Sequence, residues 1–209
     1  MAEVREPYIA IPGGLPGIGG LWAFKPAVGA KLGEFTQRLM RGPSPLTPGE
    51  RETIAAFVSS RNNTEFCVRA HSATAALLVD GGRATVDAAV DDPRAASIGP
   101  KLRALLTIAD KVRRSGLDVT REDIDAARTA GAGDEDIHDT VLIAATFCLY
   151  NRYVDGLAAI TPDSDKVYHQ IGSRLASGGY APKGLLLALR VLKTIRAFTG
   201  ALRRVRREP

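Results

Sequence analysis

With 209 residues the chain is long enough for one domain with a buried core, and 45% hydrophobic against 24% charged residues excludes a disordered or low-complexity polypeptide. Only 6% of residues are aromatic while Ala and Leu are abundant, which disfavours a β-sandwich or barrel and points to an all-α protein. Much of the net charge of +5 sits in the closing LRRVRREP; no aromatic residues interleave with these arginines to stack on bases, so no nucleic-acid partner is expected.

The two cysteines, Cys67 and Cys148, are too few for a disulfide scaffold and do not cluster as metal ligands do. A reducing, cytoplasmic setting follows as the expectation. The opening MAEVREPYIAIPGG has no apolar signal core, and no stretch is long and apolar enough to span a bilayer. No signature for a metal, flavin or nucleotide cofactor is present.

In chain order, residues 1–25 form a Gly- and Pro-rich arm. Its IPGGLPGIGGL, within Pro7–Gly20, reads as a loop; it lacks the Lys-Ser/Thr ending of a phosphate cradle. A first helix is predicted over Pro26–Arg41, with Val28, Leu32, Phe35 and Leu39 as its apolar stripe. Gly42-Pro43-Ser44-Pro45 breaks it. Thr47, Pro48 and Glu50 then supply an N-cap, a first-turn proline and a capping-box acid. Glu50 thus has a structural role that Glu52 lacks. Glu52 is expected on the face of Ala55, Ala56 and Ser59, where a close neighbouring helix would bury it and raise its pKa.

Asn62-Asn63 separates this helix from a second, for which Thr64 is the expected N-cap. Cys67 and His71, four residues apart, share one helix face with Thr74 and Leu78. A helix start just before Cys67 would lower its thiol pKa. A thiol, an imidazole and the Glu52 carboxylate form a candidate proton relay. Read singly, Cys67 is a small buried hydrophobe, His71 a core histidine and Glu52 a first-turn acid.

ATVDAAVDDPRAASIG gives a short helix and turn. Further helices are expected over Leu102–Arg114, from Thr120 to Ala130-Gly131, and from about Asp134 through DEDIHDTVLIAATFCLYNRYVDGLA. In the last, Val141, Ala145, Cys148, Arg152 and Asp155 share a stripe. It offers an Arg152–Asp155 pair or, alternatively, a Cys148 that faces the pocket of Cys67. His138 and His169 read as surface histidines. Residues 182–207 form a long amphipathic helix with basic residues opposite Leu185, Leu189, Leu192, Ile195, Phe198 and Leu202, suited to packing on the domain, on a second subunit or at a membrane surface.

The stretch from Thr47 to Leu78 resembles the core motif of the alkyl hydroperoxidase D-like / carboxymuconolactone decarboxylase family: a glutamate near one helix start, then Cys-x-x-Cys-x-x-x-His opening the next. Glu52, Cys67 and His71 match its glutamate, second cysteine and histidine, while Thr64 stands at the first cysteine. The N-terminal arm and the Asn151-Arg152-x-x-Asp155 run resemble the peroxidase-related branch. The resemblance implies an all-α helical bundle in a single domain over 1–209, with a catalytic-type core at 47–160, assembled as a homo-oligomer (trimer or hexamer). It implies Cys67 as peroxidatic nucleophile, with His71 and Glu52 as the relay and a hydroperoxide as small-molecule substrate. With Thr64 unable to resolve a sulfenic acid, an external thiol reductant, a partner protein or Cys148 would do so. Two alternatives stay open: a decarboxylase-like lyase using Glu52, His71 and an Arg152 clamp on an acidic small molecule, and a non-catalytic oligomer of the same fold.

Overall fold

The computed structural model describes residues 6–180 except position 95, and the expected helix at 182–207 lies outside them. The described residues form nine α-helices and no strand. They run α1 (Gly17–Phe24), α2 (Pro26–Arg41), α3 (Pro48–Arg61), α4 (Glu65–Ala75), α5 (Gly82–Asp91), α6 (Pro100–Arg114), α7 (Arg121–Thr129), α8 (Asp134–Gly156) and α9 (Asp165–Gly178). None of the described helices is long and apolar enough to cross a membrane.

Local chemistry explains most boundaries. The Thr47 hydroxyl accepts from the Glu50 backbone N–H while the Glu50 carboxylate accepts from the Thr47 N–H at 2.8 Å, the reciprocal cap expected from the sequence. Thr120 and Asp123 build the same device for α7. At the break between α3 and α4, Asn63 adopts φ 57°, a left-handed conformation that Asn tolerates better than most residues.

α3 is the axis of the molecule. Every residue from Gly49 to Ser59 is buried except Glu50, so this helix has no solvent face. It packs against α4, α5, α6 and α8, and α4 packs in turn against α9. Ala55, Ala56 and Ser59 keep the α3 surface small enough for this crowding. One apolar cluster gathers Met40, Ile54, Val58, Leu105, Ile108 and Phe147. A second gathers Leu21 of α1, Phe66 and Cys67 of α4 and Tyr168 of α9.

Two departures from the sequence reading matter. The second half of the Gly/Pro-rich stretch is α1, whose Leu21 is fully buried, rather than loop. Gly17 begins that helix at φ 55° with the Phe66 ring so close that a Cβ would stand 2.0 Å from it. On α2 the buried face is Gly29, Gly33, Thr36, Leu39 and Met40, while Val28 and Phe35 of the expected stripe are 53% and 40% exposed. The helix lies with its small residues against Trp22, because two glycines admit a closer approach than Val28 and Phe35 would.

Candidate active site

Glu52 projects from the second turn of α3 into the space between α2, α4 and the chain beyond α9, and is completely buried. Three donors meet its carboxylate. Arg41, at the end of α2, donates from Nη2 to Oε1 at 2.6 Å. The Tyr180 hydroxyl donates to the same oxygen at 2.7 Å. His71 Nδ1 lies 2.7 Å from Oε2. The raised Glu52 pKa expected from the sequence is corrected, although burial by itself does push it up. The hydrogen bond and charge of His71, the charge of Arg41 and the hydrogen bond of Tyr180 outweigh it, so the net direction is down. Glu52 is therefore an anion, and because a carboxylate oxygen can only accept, Nδ1 of His71 carries the donated proton.

The imidazole is held on further sides. Phe147 of α8 meets it edge-on at 4.6 Å between ring centroids, and the Tyr180 ring stacks at 6.2 Å and 15°. Arg41 also donates to the Leu175 carbonyl of α9 at 3.1 Å, and its guanidinium sits 5.2 Å from the Tyr180 ring centroid. Its Nε has no partner among the described residues.

Cys67 lies one turn before His71 on α4 and is 3% exposed. Burial pushes its thiol up to about 12; the negative charge of Asp155 adds to this, and a hydrogen bond from Asn151 opposes it. The sequence expectation of a thiol lowered by the helix start is thus corrected. Desolvation of the thiolate outweighs the helix N-terminus here.

Thr64 occupies the N-cap position of α4, but its side chain does not cap the helix. Fully buried, it donates instead to the Asp155 carboxylate of α8. Asp155 therefore meets Thr64, and Arg152, exposed on α8, donates to the Cys148 carbonyl of its own helix at 2.9 Å. Arg152 does not join the Glu52 cluster; the cation there is Arg41.

Both cysteines are free. Cys148 packs against the larger apolar cluster, Cys67 within the smaller one. Two asparagines stand between their surroundings: Asn62 Nδ2 approaches Cys148 Sγ at 3.6 Å and donates to Asn151 Oδ1 at 2.9 Å, and Asn151 donates to Ser59 Oγ at 3.0 Å. His138 and His169 are exposed, outside this region.

No protein-family model matches the chain, and no curated protein matches it. Solved structures do. An uncharacterized peroxidase-related protein from Ralstonia eutropha JMP134, described as an alkylhydroperoxidase AhpD core, superposes with a TM-score of 0.68 at 28% identity, covering 81% of this chain and 83% of that one. The fold is that of the AhpD core. A second uncharacterized peroxidase-related protein, from Silicibacter sp. TM1040, gives a TM-score of 0.67 at 28% identity over 74% of this chain and 78% of its own. Similarity at this level supports the AhpD-like family as well as the fold.

Sequence reasoning missed Arg41 and Tyr180. Arg41 reads as an ordinary basic residue closing a helix, and no local pattern ties Tyr180 to a glutamate 128 positions earlier.

Proposed function

We propose that this AhpD-like protein reduces hydroperoxides through Cys67, using His71 and Glu52 to move the proton. The observation that carries the reading is the buried Glu52–His71 pair at 2.7 Å, one helical turn from the thiol. Because burial holds Cys67 as a thiol at rest, attack has to be coupled to proton removal rather than draw on a standing thiolate. In the proposed step the Nε2 lone pair of His71 takes the thiol proton and the sulfur attacks the terminal peroxide oxygen. The O–O bond breaks, and the leaving alkoxide takes the proton from the imidazolium, giving an alcohol and Cys67 sulfenic acid. Glu52, already anionic, stabilises the transient imidazolium.

Thr64 has no sulfur to complete a local disulfide. An external thiol condenses with the sulfenic acid, releasing water, and a second thiol frees Cys67 as a symmetric disulfide leaves. This recycling fits a reducing, cytoplasmic setting. The exposed apolar side chains Val28, Phe35 and Leu149 fit burial in a homo-oligomer of AhpD type. The test is steady-state reduction of an organic hydroperoxide with a small thiol: Cys67→Ala abolishes turnover and Cys148→Ala leaves it standing.

A decarboxylase-like lyase is the second reading, favoured by the raised thiol pKa, since a base at His71 with Glu52 needs no thiolate. Its cation would be Arg41. Activity on an acidic substrate that survives alkylation of Cys67 would select it.

A further inference from the structure

The fourth member of the buried cluster, Tyr180, comes from outside the motif that carries Glu52, Cys67 and His71. We infer that Tyr180 is a positioning residue for the Glu52–His71 base. This rests on the proposal above that the pair acts as a base.

The geometry is specific. The Tyr180 hydroxyl donates to Glu52 Oε1 at 2.7 Å and lies 3.3 Å from His71 Nδ1, touching both members of the pair. Its ring stacks on the imidazole, with the Arg41 guanidinium against the ring as well. The backbone is tied down separately, because the Tyr180 N–H donates to Gln37 Oε1 of α2 at 2.6 Å. The residue is therefore anchored at one end on α2 and at the other on α3 and α4.

Two donors on Oε1, Arg41 and Tyr180, turn the other carboxylate oxygen toward His71. That arrangement fixes the Nδ1–H tautomer and leaves Nε2 as the acceptor. The phenol is suited to this. Burial raises its pKa well above the ordinary value, and the neighbouring Glu52 charge raises it further, so it remains a neutral donor.

The charged and titratable groups around the pair are Arg41 from α2, Glu52 and Arg51 from α3, Cys67 and His71 from α4, and Tyr180; α8 adds the Phe147 ring and α9 the Leu175 carbonyl. Both N–H groups of Arg41 Nη2 are already engaged, one on Glu52 Oε1 and one on the Leu175 carbonyl, so the phenol supplies a separate donor to Oε1.

Tyr180→Phe keeps the ring and removes only the hydroxyl. The Glu52 anion then loses a donor, so its carboxyl titrates at higher pH. Side-chain 13C NMR of labelled glutamate reads this in the resting protein without substrate. The expected shift at Glu52 is upward by about half a pH unit or more. Cumene hydroperoxide oxidation of Cys67 then shows an acid limb displaced to higher pH in the same variant.

A merely structural tyrosine would lower the rate equally at all pH values and leave both midpoints in place. That result, in a variant that melts as a folded protein, overturns the inference. Should Tyr180→Phe fail to fold, Gln37→Ala decides: releasing the backbone tie raises the Glu52 midpoint if Tyr180 positions the pair and leaves it unchanged if not. A shifted Glu52 with no Cys67 oxidation in the parent protein would instead overturn the peroxidase reading and leave the positioning role intact.

Discussion

Glu52 concentrates the chemistry of this protein because it is a fully buried carboxylate with three donors. Glu52→Gln removes the charge but leaves Arg41 and His71 facing an amide, and truncating one partner of a buried ion pair costs about 3–5 kcal/mol. Denaturant unfolding at neutral pH is expected to show a loss of that order, together with loss of Cys67 oxidation. The acid dependence has a definite sign. The folded-state pKa of Glu52 lies below its unfolded value, so its contribution is complete above the unfolded carboxyl range and fades as pH falls toward the folded value. Glu52→Gln therefore flattens the decline of stability on acidification below about pH 4.5, measured by thermal melts across pH. Thr64→Cys restores the missing motif cysteine; the expected product after hydroperoxide treatment is an intramolecular disulfide between Cys67 and the introduced thiol, read by peptide mass spectrometry. Its cost is the buried hydrogen bond to Asp155, and melting shows the loss.

At the scale of elements, α3 and α4 hold the relay and α9 presses α4 into place. Gly172 of α9 sits against Ala73 of α4 so closely that a Cβ would meet backbone atoms at 2.9 Å. Gly172→Ala forces the two helices apart, and overpacking of this kind costs about 1–3 kcal/mol by thermal or denaturant unfolding. Thr47→Ala strips one arm of the capping box and costs about 1 kcal/mol. These elements differ in how legible they are from sequence. The α3 start is written in Thr47, Pro48 and Glu50, and the ends of α2, α7 and α8 in their Gly, Thr and Asp neighbours, because caps are local chemistry. Glycine obscures α1: Gly17, Gly19 and Gly20 argue against a helix on propensity, and burial of Leu21 with the approach of Phe66 overrides them. On α2, periodicity finds the helix but not its buried face, since the choice of Gly29 and Gly33 over Val28 and Phe35 is made by Trp22. The Glu52–His71 contact is legible only through the family resemblance, since read singly each residue is an ordinary core or first-turn residue. Arg41, Tyr180 and the raised Cys67 thiol are not legible, because they arise from tertiary neighbours and desolvation.

For the whole molecule, the nine described α-helices, with α3 as their axis, reproduce the AhpD core, and among the exposed apolar side chains Val28, Phe35 and Leu149 belong to α2 and α8. If they are covered in a homo-oligomer, sedimentation velocity finds a species larger than one 22.2 kDa chain, and Phe35→Asp shifts it toward the monomer. The central claim concerns the thiol, and one measurement reaches it directly. The protein is exposed briefly to an organic hydroperoxide with a sulfenic-acid trap present, and its peptides are mapped by mass spectrometry. The account predicts a trapped adduct on Cys67, formed faster than any on Cys148 and lost in Glu52→Gln. An unmodified Cys67 under conditions that oxidise Cys148 would contradict it and leave the lyase or a non-catalytic oligomer as the better reading.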